Sequence, residues 1–111
     1  MEKKDNNLVD QVLFHLQNNF SVSADESKNI LKTITLTLRK NIFNLRRACD
    51  RDDLPEMARH LHSIKGALLN LGQNELAEAT ELLEIASRAG EKHDYFISIH
   101  KIENILKPLI N

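Results

Sequence analysis

Apolar residues return every three or four positions in five successive runs that fill most of the chain, and this spacing restricts it to helices that each bury one face. Leu8, Val9, Val12, Leu13, Leu16 and Phe20 mark a first helix at about residues 6–19. After Asn18-Asn19-Phe20-Ser21-Val22, the run Ser23-Ala24-Asp25-Glu26 has the form of a capping box and opens a long second helix. Thr33-Ile34-Thr35-Leu36-Thr37-Leu38 alternates as a strand would, but Ile30, Ile34, Leu38, Ile42, Leu45 and Cys49 carry the helical spacing through it, so helix is the expectation and strand the alternative.

Beyond the charged turn Asp50-Arg51-Asp52-Asp53, Leu54-Pro55-Glu56 places proline in the first turn of a third helix, where its missing N–H costs nothing. Leu54, Met57, Leu61, Ile64, Leu68 and Leu71 form its seam over residues 54–71, and Gly72 suits a left-handed cap. Asn74 is the expected cap of a fourth helix, Glu75 to Ala89, which packs through Leu76, Ala79, Leu83 and Ala86 and closes at Gly90. A fifth, about residues 92–107, offers Phe96, Ile99, Ile102, Leu106 and Leu109, with Pro108 discouraging continuation. Short connections favour antiparallel neighbours. The expected fold is all-α: an antiparallel up-and-down four-helix bundle with the additional N-terminal helix laid across one end.

A chain of 111 residues closes one core, so residues 1–111 are read as a single domain. A formal charge of −1 supplies no field for nucleic acid or an anionic membrane, and neither is an expected partner. The single cysteine, Cys49, has no second thiol for a disulfide or a metal motif. Residues 1–7 are charged and then polar, with no apolar run behind them to direct secretion or span a bilayer. A cytoplasmic location is expected.

The segment that carries chemistry is His60-Leu61-His62-Ser63-Ile64-Lys65-Gly66-Ala67-Leu68-Leu69-Asn70-Leu71-Gly72. Because Leu61 belongs to the core seam, His62 faces outward, between Ala58 and Arg59 one turn before and Lys65 and Gly66 one turn after. A glycine inside a helix costs about 1 kcal/mol relative to alanine, and Gly66 is read as retained for access to the imidazole. Lys65 offers positive charge to a group of about −1.5 to −2 charge, such as a phosphoryl group. His60 and His62 diverge by about 200° on a helix and do not share a metal ion. His15, His93 and His100 have no partner motif and are expected at the surface. Ser63 points away from His62, so no catalytic triad forms, and no glycine-rich nucleotide loop provides for phosphorylation from ATP.

With His62, Lys65, Gly66 and Gly72 at these offsets, the sequence resembles the histidine-containing phosphotransfer (HPt) domain family, whose signature is a helical histidine followed by Lys-Gly at three and four residues and by glycine at ten. The likeness runs from about residue 24 to 107. It implies a carrier that accepts a phosphoryl group on His62 from a receiver-domain aspartate and passes it to another receiver. It also implies that Glu84, on the next helix, holds the imidazole in the nucleophilic tautomer, with Glu81 one turn away as competitor. Leu69 stands where many members carry a small residue, which would narrow the receivers that dock. Arg59 and Lys65 are expected at the rim of that surface. The implied partners are response-regulator receivers and a hybrid sensor kinase. No cofactor is expected on this chain, with Mg²⁺ supplied by the receiver, and the expected state is monomeric. The competing readings are an HPt-fold adaptor without phosphotransfer and the dimeric phosphoacceptor module of a sensor kinase. The latter typically has an acidic residue after the histidine and a proline a turn or so on, where this chain has Ser63 and no such proline.

Overall fold

In a computed structural model of the chain, which describes residues 4–111 and side chains from Leu8 onward, five helices follow one another: α1 Lys4–Phe20, α2 Ala24–Asp50, α3 Leu54–Asn70, α4 Asn74–Arg88 and α5 Tyr95–Ile110. There is no strand among the described residues. The reading of residues 1–7 as a charged leader falls in part, at residues 1–3, outside the described residues.

Helices α2, α3, α4 and α5 pack in a ring, each on the next and α5 back on α2, which is the antiparallel bundle expected from the short connections. Its core is built from Leu38, Ile42 and Leu45 of α2, Met57, Leu61, Ile64 and Leu68 of α3, and Ile99, Ile102 and Leu106 of α5, all buried. The additional helix α1 lies on α2 and α5 and contributes Val12 and Leu16 to the same core.

Local chemistry explains the starts and stops. At the head of α2, Ser23 Oγ accepts from the Glu26 N–H at 3.1 Å, and the Ser23 N–H donates to Glu26 Oε1 at 2.8 Å, so the capping box is closed in both directions. The β-branched stretch stays helical, with Thr33 and Thr35 donating their hydroxyls to the carbonyls of Asn29 and Lys32 while Leu38 and Ile42 enter the core. Asp53 caps α3 through the Glu56 N–H at 3.2 Å. Gly72 ends α3 at φ +77, and a Cβ there would stand 2.5 Å from Nδ1 of His15 on α1. Glycine is thus required twice over, by the left-handed backbone and by the ring lying on it. His15, expected at the surface, is instead half-buried against this turn.

Other expectations are corrected. Phe20 and Phe96 do not enter the core; both are exposed, and Tyr95 takes the buried place at the head of α5, its hydroxyl donating to the Glu91 carbonyl at 2.7 Å. Helix α4 begins after Gln73, so Asn74 is its first residue rather than its cap, and Gln73 makes no side-chain cap. Ala79 is exposed, while Ala77, Thr80, Glu84 and Ser87 share the buried face with Leu83. Pro108 does not end α5, which runs through it to Ile110. Near a C-terminus proline removes a single backbone hydrogen bond, and the burial of Leu109 and Ile110 keeps the last turn in place.

Candidate functional site

Helix α3 presents its core seam to the bundle and, one residue off that seam, lifts the His62 side chain into solvent at 63% exposure. Its neighbour across the groove is α4. Because α4 buries its 77-80-84-87 face, Glu84 enters this groove with its side chain only 7% exposed. Nδ1 of His62 lies 3.0 Å from Glu84 Oε2. An ionised carboxylate only accepts, so Nδ1 carries the proton and donates it, and Nε2 of the neutral ring keeps its lone pair toward solvent. Glu81, the competing carboxylate, is half exposed and 4.0 Å from Lys65 Nζ.

Three donors converge on Glu84. Arg88, one turn along α4, donates to Oε2 from Nη2 at 2.7 Å and from Nε at 3.2 Å. Lys65 Nζ lies 3.2 Å from Oε1 as an ion pair, although its angle leaves that buried oxygen without an aligned hydrogen bond. Burial alone would raise the Glu84 pKa, but the contacts of Arg88, Lys65 and His62, with the charge of Lys65, outweigh it and hold the carboxyl below the ordinary glutamate value of 4.5. The ionised form therefore favours the folded state above 4.5, and that contribution disappears as the pH falls through the depressed value. Glu84→Gln should cost about 1–3 kcal/mol of stability near neutral pH, and the gap to wild type should close as the pH falls below the ordinary glutamate range and Glu84 takes up its proton. Urea unfolding across that range checks this; a gap that stays constant would remove the buried charge as its cause.

Sequence reasoning brought His62, Lys65 and Glu84 to one place, and the structure joins them directly. It also changes one detail: Lys65 is engaged by Glu84 and largely buried rather than standing free at a rim. Arg59 is exposed and paired bidentately with Glu56 at 3.0 and 3.1 Å. Gly66 meets no atom within 4 Å of where a Cβ would stand, so nothing among the described residues demands glycine there, and the space beside His62 is open. Leu69, two turns on, is half exposed. Ala58 is buried beneath the surface and so offers no docking atoms, and Gly72 stands at the far end of α3, about 15 Å along the axis from His62, as a terminator rather than part of the site. Arg88 was missed, although its spacing four residues after a glutamate is the signal of a helical ion pair. Among the described residues, no three histidine, cysteine or acidic side chains converge as a metal site.

A family model described as Hpt domain matches residues 29–109. No match was found among curated proteins or solved structures. The matched span takes in His62, Lys65, Glu84 and Arg88, the groove that joins them, all of α3 and α4 and most of α2 and α5, and the chain belongs to the Hpt domain family, the phosphorelay carriers of two-component systems.

Proposed function

We propose that His62 Nε2 attacks the acyl phosphate of a phosphorylated receiver domain and later yields the same phosphoryl group to the aspartate of another. In the first step the N–P bond forms as the aspartyl O–P bond breaks and a carboxylate leaves; the second step reverses these changes. The observation that carries this reading is the tethered ring: Nδ1 is held by a buried carboxylate while Nε2 is open. The Nδ1 proton remains on the ring, and Glu84 stabilises the positive charge that the ring gains on phosphorylation. Positioning and charge neutralisation then do most of the work, with Mg²⁺ and the acidic pocket supplied by the receiver.

Half-exposed Leu69 and the space over Gly66 form the apolar floor on which a receiver rests, and Leu69 narrows which receivers fit. The domain acts as a monomer. Its free thiol, Cys49, suits a reducing compartment such as the cytoplasm. An adaptor without phosphotransfer would have no need of a histidine oriented by a buried glutamate. Incubation with receivers phosphorylated by acetyl phosphate tests the reading: an acid-labile, alkali-stable label on His62 supports it, and a label elsewhere on the chain overturns it.

A further inference from the structure

The two flanks of α3 carry opposite charge. On the α4 flank, where Glu84 holds His62, Glu75, Glu78 and Glu81 step by three along the helix and are all exposed. The α2 flank is fixed by His60, whose Nδ1 lies 3.3 Å from Asn41 Oδ1. Here Arg47 and Arg51 of the α2 end and Arg59 of α3 line one open cleft with Glu56 and His60. Glu56 is taken up by Arg59 at 3.0 Å and lies 3.2 Å from His60 Nε2. Among the described residues, neither Arg47 nor Arg51 lies within ion-pair distance of a carboxylate. Among the side chains that line the cleft, three guanidinium groups stand against the single carboxylate of Glu56, with Asp50 and Asp52 in the turn on either side of Arg51. Phe43, 57% exposed, sits beside them with the Arg47 guanidinium carbon 5.9 Å from its ring centroid. Exposed aromatic and arginine side chains are the residue types that anchor protein interfaces.

Resting on the carrier reading above, we propose that this cleft seats the partner receiver: an acidic edge of the receiver lies on Arg47, Arg51 and Arg59 over the α2 flank, and the acidic row of α4 repels the reverse seating. Arg59 stands one turn, about 4.5 Å of rise, from His62, so a receiver whose active site covers the imidazole extends over the cleft without changing its pose. Charges at an interface rim act chiefly on encounter and orientation, and they are screened over about 8 Å at physiological salt. The cleft therefore selects among receivers by the sign of one edge, while the chemistry remains with His62.

The test uses the full chain and receiver domains of the same genome phosphorylated with acetyl phosphate, comparing wild type, R47E with R51E, and R47A with R51A. For receivers that label wild type, the reversal pair should lower the second-order transfer rate about tenfold or more at about 50 mM NaCl, with the gap narrowing to about twofold at about 500 mM. The alanine pair should fall between, and the final extent of His62 labelling should not change. Rates within about twofold of wild type for both pairs at low salt overturn the seating. Should the reversal pair lack the wild-type helical circular dichroism, the alanine pair decides by the same criterion. Absence of label on wild type from every receiver overturns the carrier reading itself, whereas normal labelling with unaltered variant rates overturns only the seating.

Discussion

His62→Gln should take up no phosphoryl label from any receiver that labels wild type, a loss to background of about a thousandfold or more, because the amide has no nucleophilic nitrogen to replace Nε2. The ring is mostly solvent-exposed and, among the described residues, its one tether is to Glu84, so unfolding free energy should move by no more than about 1 kcal/mol. Together these outcomes separate chemistry from folding. Measuring label by gel and stability by urea titration on the same preparation checks both, and transfer that survives the substitution would end the assignment of His62 as phosphoacceptor.

The opposite pattern is expected one residue earlier. Leu61 is fully buried on the core seam of α3, and Leu61→Ala should cost about 2–5 kcal/mol, part from lost transfer of the side chain out of water and part from the cavity left behind. Against a total of about 5–15 kcal/mol for a domain, this is a large share, and the melting temperature should fall by roughly 10 °C or more. Below the lowered midpoint, transfer to His62 should persist, since Leu61 points away from the imidazole. A melting temperature within about 2 °C of wild type would mean that the seam does not carry the bundle. The 100° step between adjacent residues puts Leu61 in the core and His62 in solvent, so the two substitutions should separate stability from transfer.

This division is also why so much was legible in the sequence. Leu61, Ile64, Leu68 and Leu71 reveal α3 by spacing alone, and once that seam is fixed, His62 must face outward and Gly72 must stand near the end. Helix α4 was harder to read because its buried face contains Thr80 and Ser87, whose hydroxyls donate to the carbonyls of Leu76 and Glu84 at 2.8 and 3.0 Å. A hydroxyl satisfied within its own helix is buried at little cost, yet in a hydropathy pattern it reads as solvent-facing, and Ala79 drew the stripe away from Ala77. The pairing of His62 with Glu84 rather than Glu81 depends on the rotation of α4, which no local pattern fixes. Arg88 was overlooked for a related reason: its charge is spent inside the site on Glu84, while its sequence neighbourhood, Ala86-Ser87-Arg88-Ala89, looks like an ordinary helix end. The length of α5 turned on the burial of Leu109 and Ile110, a tertiary contribution that outweighs the local penalty of Pro108.

Helix α1 lies wholly before residue 29, where the family resemblance begins, yet its Val12 and Leu16 are fully enclosed and its His15 rests on the glycine that stops α3. The stretch that evolution marks as a transfer module is therefore smaller than the physical object that stays folded. Excising it at the boundary of the recognisable motif would strip a lid from α2 and α5 and leave an oily trough open to water, the kind of surface through which chains stick to one another.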